Sequence, residues 1–227
     1  MPVLQKLLQR AGSTLVPVYH RLSEPPPPNL KGDRDIEYSW IAAHIPDGPG
    51  KALEVGCGQG SLGLLAACRG FTTVATDLTS VAWPYVHPKL SFSRTDVFDT
   101  AFPEGSLDLI VMCSVVEHIG LGRYGDPVSA DSDLHAMQYL RTLLTEDSGR
   151  LLMTIPVGRD EVIDPFHRIY GPVRLPQLLR RFSIEEEAFW VKDDSNRWIA
   201  TGRTTALSRR ASASYYSIGC FALRSAL

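Results

Sequence analysis

Hydrophobic positions change their spacing several times along the chain, and each change marks an element. From Asp33 to Ile45, Ile36, Trp40, Ile41 and His44 recur on one helical face, which predicts a helix with Asp33 as its N-cap. After Pro46 to Gly50 that period is lost. KALEVGC (51–57) is a nearly unbroken apolar run ending in glycines, as in a strand covered on both faces of a parallel sheet. SLGLLAACRG (61–70) predicts a helix closed by Gly70, and FTTVATD (71–77) a second strand. LSFSRTDVFD (90–99) is a weaker third strand and LDLIVMCS (107–114) a strong fourth. A long loop leads to the helix DSDLHAMQYLRTLLT (131–145), and a turn at Glu146 to Gly149 leads to a fifth strand, RLLMTIP (150–156). This alternation implies βαβ units with right-handed crossovers. The last third differs. FSIEEEAFWVK (182–192) and YSIGCFALRS (216–225) read as strands with a polar stretch and no clear helix between them, which predicts an antiparallel pair at a sheet edge.

Before Asp33 the pattern is of another kind. Val3, Leu4, Leu7 and Leu8 outline a short amphipathic helix, and Pro25 to Pro28 form a stiff extended connector. The expected organisation is an N-terminal arm over 1–32 and one α/β domain over 33–227, with the arm packing on the domain or joining two copies in a homodimer. The first segment has too short an apolar run for a signal peptide, and no apolar span reaches membrane length, so a cytoplasmic protein without stable membrane insertion is expected. A length of 227 residues suits one such domain. The formal net charge of -2 gives no general attraction to nucleic acid, and none is expected as a partner. Arg203, Arg209 and Arg210 form a local basic group best read as a solvated loop. The four cysteines include no C-x-x-C pair, so the expectation is buried thiols and no metal site.

LEVGCGQGSLG (53–63) joins a predicted strand to a predicted helix. Gly56, Gly58 and Gly60 permit backbone conformations closed to other residues and let a ligand lie on bare backbone. A dinucleotide fingerprint wants G-x-G-x-x-G, and its third glycine would fall on Ser61. The chain instead has an acidic residue, Glu54, leading three alternate glycines. A carboxylate there is a poor neighbour for a pyrophosphate and a good one for a ligand bearing ammonium and sulfonium charges. Opposite charges at about 4 Å attract by roughly 4 kcal/mol with an effective dielectric near 20, before desolvation. Asp77 closes the second strand 21 residues after Gly56. A carboxylate there can accept hydrogen bonds from ribose hydroxyls, although a strand-end Asp also simply forms turns. Asp96 suits an adenine amino group, with Asp99 as a competitor. Leu78, Val97 and Cys113, at or beside these strand ends, complete the candidate cofactor site.

Together LEVGCGQG, VATD, RTDVFD and LDLIVMCSVVEHI, from Lys51 to Pro156, resemble the class I S-adenosylmethionine-dependent methyltransferases. The resemblance implies a Rossmann-like α/β fold. Its seven-stranded, mostly parallel sheet would have order 3-2-1-4-5-7-6, the last inserted strand antiparallel, with S-adenosylmethionine across the C-terminal ends of the first strands. VEHIGLGRYGDP and PVGRD…HRIYGP, between Ser114 and Pro176, also resemble a little-characterised family of methyltransferase-like proteins of unknown function. Relatives often accompany genes for cell-surface glycans or specialised metabolites, which implies a small-molecule acceptor.

On the acceptor side the candidates are Glu117 and His118 after the fourth strand, Tyr124 in the following loop, and His167, Arg168 and Tyr170 after the fifth. Histidine accepts a proton near neutral pH, so His118 or His167 is the candidate base, while Glu117–His118 equally well opens a helix. Arg168 suits a carboxylate or phosphate on the acceptor, and Arg–Asp pairs pinning a surface loop account for the same residues. The implied reaction is methyl transfer to a hydroxyl of a sugar or specialised metabolite. The alternatives are a cofactor-binding regulatory protein without transfer activity, a nicotinamide oxidoreductase, which Glu54 and Ser61 oppose, and a nucleic-acid methylase. Cys113-Ser114-Val115-Val116, where an Asn-Pro-Pro-aromatic motif would stand, opposes the last.

Overall fold

In the computed structural model, residues 33–193, 195–211 and 216–226 are described. The proposed arm over 1–32, and any dimer through it, lie outside the described residues. Helix α1 (Asp33–His44) precedes β1 (Gly50–Val55), α2 (Leu62–Cys68), β2 (Phe71–Asp77) and β3 (Leu90–Arg94). Then come β4 (Leu109–Cys113), α3 (Ser132–Leu143) and β5 (Arg150–Val157). The last third holds β6 (Glu161–Ile163), β7 (His167–Ile169), α4 (Arg174–Leu178), β8 (Phe182–Lys192), β9 (Trp198–Thr201), α5 (Arg203–Ser208) and β10 (Ser217–Ser225).

The central sheet has order β3-β2-β1-β4-β5-β10-β8-β9. β3, β2, β1, β4 and β5 are parallel neighbours, and β10 runs antiparallel to both β5 and β8. This is the α/β sheet the sequence implied, with one addition. An eighth strand, β9, pairs antiparallel with β8 along the outer edge. It lies in the stretch expected to be merely polar. Asp193 makes it a strand: its carboxylate accepts from the Ser195 and Arg197 amides (2.9 and 2.8 Å) and turns the chain back on β8. The short helix α5 also lies between β8 and β10, where none was expected.

Two apolar layers fix the sheet. Alternate residues of β1, β4 and β5 (Leu53, Ile110, Met112, Leu151, Met153) pack on Ala136, Met137, Leu140 and Leu143 of α3 and on Leu175 and Leu178 of α4. Their neighbours (Ala52, Leu109, Val111, Leu152) face the other way, onto Trp40 and Ile41 of α1 and Leu62 and Ala66 of α2. Burial on both faces explains why these strands read as unbroken apolar runs. It also leaves the C-terminal strand ends as the one place where β1, β2 and β4 meet loops rather than a helix face.

The loop after β5 folds back as the hairpin β6–β7. A buried ionic cluster anchors it. Asp133, at the start of α3, is fully buried and accepts from Tyr170 Oη (3.0 Å) and from Arg174 Nε and Nη2 (2.9 and 2.5 Å). Arg168 is also buried, its Nε 3.7 Å from the same carboxylate. Removing one member of a buried ionic set leaves uncompensated charge, at a cost of about 3–5 kcal/mol. Asp133→Ala is expected to lower the unfolding free energy by about that much. A urea midpoint matching the wild type would mean that the cluster does not hold the domain together.

Candidate functional site

β1 ends in Glu54 and Val55, and the chain then turns through Gly56, Cys57, Gly58, Gln59 and Gly60 into α2. Gly56 and Gly58 have φ of 65° and 51°, a left-handed region costly to residues with a Cβ. The three glycines differ in what surrounds them. A Cβ on Gly56 would meet the Val115 side chain at 2.6 Å, and one on Gly60 would meet the Tyr38 hydroxyl. A Cβ on Gly58 would meet nothing within 4 Å. Gly58 thus presents bare backbone to open space, as a ligand lying on the loop requires.

Two carboxylates hold the turn. Glu54, 4% exposed, accepts from the Gly63 amide at 2.8 Å and ties β1 to α2. Burial raises its pKa to about 8 against the lowering by the Gly63 amide, and Asp77 raises it further. Asp77 Oδ2 accepts from the Gly58 amide (2.9 Å), and its Oδ1 accepts from the amide and hydroxyl of Thr79 (2.8 and 2.7 Å). Asp96 caps a 3-10 turn over Val97–Asp99 by accepting from the Phe98 amide at 3.0 Å. That cap is the turn role weighed against adenine binding.

Two cavities adjoin across the loop. One, of about 630 Å³, backs on Glu54 and Gly56–Ser61. The other, of about 300 Å³, runs from Asp77, Leu78, Asp96 and Val97 to His118, Tyr124 and Asp126. Arg34, Gly56, Gly58 and Cys113 line both. Every residue expected for the cofactor therefore lies on one continuous surface at the strand ends. The Cys113 thiol is pushed up to about 12 by burial, with Glu37 adding to the effect, and is no nucleophile near neutral pH.

The acceptor candidates divide. His118 and Tyr124 line the smaller cavity, their rings edge to face at 5.6 Å. His118 Nδ1 lies 2.6 Å from the Phe166 carbonyl, so it carries the proton and Nε2 is the basic nitrogen. Burial lowers its pKa to about 4, against the raising effect of that bond and with Arg123 adding to the fall. Glu117 is buried, and its Oε2 has no hydrogen-bond partner. Burial raises its pKa to about 8, and the nearby Glu37 adds to this.

His167, Arg168 and Tyr170 correct the sequence expectation, since none of them lines either cavity. His167 is buried behind His118, ring centroids 6.2 Å apart, with its Nε2 unpaired; burial lowers its pKa. Arg168 donates to the carbonyls of Ile119, Ser129 and Ala130 (2.6, 3.2 and 3.3 Å) and has no free face for a ligand. Tyr170 is spent on Asp133. The loop-pinning reading holds for these two. Among the described residues no group of three His, Cys, Asp or Glu side chains is placed to hold a metal ion.

The sequence reading predicted α1 but left it out of the site. Arg34 Nη1 lies 3.2 and 3.1 Å from Cys113 O and Sγ and 3.3 Å from Glu37. Buried Glu37 accepts from Thr154 Oγ1 at 2.9 Å and from the Ser114 hydroxyl, and so fastens the corner where β4 ends. Ser114 has φ of 51° there, a strained backbone of the kind found at binding sites. Arg34 and Tyr38 stand four residues apart, on one helical face; that spacing was the available signal.

This fold, with bare backbone between two acidic strand ends, is that of the class I methyltransferases whose cofactor is S-adenosylmethionine. A family profile described as "Methyltransferase domain" matches residues 53–133. A second, described as "Caenorhabditis protein of unknown function, DUF268", matches residues 95–208, half of the chain, and the chain belongs to that family. Two curated proteins of Mycobacterium tuberculosis, from strains CDC 1551 / Oshkosh and ATCC 25618 / H37Rv, are each 28% identical over 152 residues, 60% of this chain. Both are named "Probable S-adenosylmethionine-dependent methyltransferase", and the chain spans about half their length (51%). Among solved structures, Burkholderia thailandensis 1,6-didemethyltoxoflavin-N1-methyltransferase, with S-adenosylhomocysteine bound, superposes with TM-score 0.58 at 15% identity, covering 97% of this chain and 90% of that one. The N-methyltransferase NodS of Bradyrhizobium japonicum WM9 gives 0.56 at 14%, covering 89% and 93%. Among the described residues no helix is long and apolar enough to cross a membrane.

Glu117 generates a prediction. A carboxyl raised from 4.5 to about 8 on folding contributes stability in full below pH 4.5, and loses it as pH rises through 8. Glu117→Gln removes that dependence. Wild-type melting temperature minus that of the variant should fall steadily between pH 5 and pH 8.5. Parallel melting curves across this range would mean that the group does not titrate as described.

Proposed function

We propose that the protein transfers a methyl group from S-adenosylmethionine to a small-molecule acceptor, most simply a hydroxyl of a sugar or specialised metabolite. The observation that carries this reading is the open space facing Gly58, at the junction of two cavities between Glu54 and Asp77. When bound, S-adenosylmethionine supplies a methyl group already activated on a sulfonium. The chain's part is to hold and align. The glycine loop and Glu54 would take the cationic amino-acid end, Asp77 the ribose, and Asp96 with Val97 the adenine. The acceptor would enter between Tyr124 and His118, its hydroxyl proton passing to His118 Nε2 or to water.

A second reading, a cofactor-binding protein without transfer activity, is favoured by one observation. His118, at about 4, is a weak base for a hydroxyl, and the other histidine in question does not reach the cavity.

Two experiments decide. Gly58→Val should abolish S-adenosylhomocysteine binding in calorimetry, because its Cβ enters the open space a ligand needs and the φ of 51° strains the turn for any residue that carries one. Wild-type affinity in that variant would remove the loop from the site. Incubation with methyl-labelled donor and cell extract should place label in a low-molecular-weight product. Donor binding with no labelled fraction would establish the second reading instead.

A further inference from the structure

The motif GLGRYGDP (120–127) holds one charged group that neither the cofactor site nor the fold uses. Arg123 stands at the rim of the smaller cavity, next to Tyr124, which lines it. Its guanidinium is held in place. It lies over the rings of Tyr124 and Phe166, at 5.1 and 5.8 Å from their centroids, and Nη1 donates to the Phe166 carbonyl at 3.0 Å. Nε and Nη2 make no hydrogen bond among the described residues, and no carboxylate among them pairs with the group. Asp126, the nearest acid along the chain, is spent on the Gly120 and Tyr124 amides, at 2.6 and 3.4 Å. Arg168 and Arg174, farther back, are by contrast paired with Asp133. An ordered, exposed arginine with the Nε–Nη2 edge of its fork left over has the geometry that takes a carboxylate or phosphate. The two flanking rings are 48% and 46% exposed, so a ligand seated there also covers apolar surface.

We infer that Arg123 binds an anionic group, a carboxylate or a phosphate, on the methyl acceptor, so that the charged end sits at the rim and the hydroxyl reaches inward past Tyr124. This rests on the transfer reading above. It gives the acceptor a chemical class: a small hydroxylated anion rather than a neutral molecule. The arrangement bears on His118 as well. After burial, Arg123 is what most lowers the pKa of that imidazole, with His167 and Arg34 adding less. Glu117, 3.6 Å from Nε2, and Tyr124 complete its surroundings. A bound anion offsets the Arg123 charge and makes Nε2 the better proton acceptor once the acceptor is in place.

Methyl-labelled donor and the small-molecule fraction of a cell extract test this with the full chain. The labelled product of the wild type should be held by an anion exchanger at about pH 7. Retention lost after phosphatase treatment assigns a phosphate monoester. Retention that survives the enzyme and is lost at about pH 2 assigns a carboxylate, and retention through both a phosphodiester. Arg123→Gln should lower the labelling rate about tenfold at limiting extract, with Arg123→Lys in between. S-Adenosylhomocysteine affinity and melting temperature should stay at wild-type values in both variants. A labelled product that passes the exchanger unretained overturns the assignment. So does undiminished labelling by Arg123→Gln, or a parallel loss of S-adenosylhomocysteine affinity, which makes Arg123 a structural prop. Donor binding with no labelled product from the wild type overturns the transfer reading instead, a separate result.

Discussion

The site depends on keeping a backbone turn open where the protein has no side chains to prop it. Gly56, Gly58 and Gly60 have no side chains to fill it, so the turn is held from outside, by the Gly63 amide on Glu54 and the Gly58 amide on Asp77, with the Cys57 amide on the Thr76 carbonyl and the Tyr85 hydroxyl on the Gln59 carbonyl beside them. The first joins β1 to α2 and the second reaches across to β2. Both of these acceptors are acids at strand ends, where parallel strands expose amides without partners in the sheet. The arrangement has an electrostatic consequence. Glu54 is buried, and with Asp77 nearby its charged form is disfavoured up to about pH 8. A cation on the loop favours that charge, so cofactor and proton compete for one carboxyl.

Behind the opposite side of the cavity the device is reversed, with cations buried among acceptors. Arg168 gives its hydrogen bonds to three loop carbonyls, and Arg174 and Tyr170 converge on Asp133. These contacts hold the segment 119–130 against the hairpin β6–β7. The hairpin in turn presents the Phe166 carbonyl to His118 and to Arg123 Nη1, at 2.6 and 3.0 Å. Arg123 lies over the rings of Tyr124 and Phe166, at 5.1 and 5.8 Å from their centroids. The mouth is therefore an aromatic rim fixed by buried ionic contacts well behind it.

These two halves explain what the sequence made legible. β1, β4 and β5 announce themselves because burial on both faces demands apolar residues at every position. The glycine loop is legible because its spacing is a backbone requirement, local to a few residues. β9 and the hairpin are only three or four residues per strand, too short for any period to appear. Arg168 looked like a ligand for a similar reason. Its partners are carbonyls some forty residues away, and nothing beside it in the chain distinguishes a buried arginine from an exposed one. Arg34 and Tyr38 escaped because α1 was read by its apolar face, whereas the polar face of the same helix meets the cavity.

The acceptor end bears on how much of a transfer the protein would have to supply. His118 is held as a neutral imidazole whose Nε2 lies 3.6 Å from Glu117 Oε1, and its pKa of about 4 makes it a poor partner for the proton of an alcohol. A well-matched base is worth roughly 3–5 kcal/mol, and this one falls short of that. Alignment of two bound reactants reaches about 7–11 kcal/mol and needs no base. With an activated methyl donor the second term would suffice. The loop, strand corner and rim are each fixed by hydrogen bonds within the protein. On this reading the rigid Ser114 corner matters more to rate than any proton acceptor. It sets the distance between the ligand on the glycine loop and the molecule beside Tyr124.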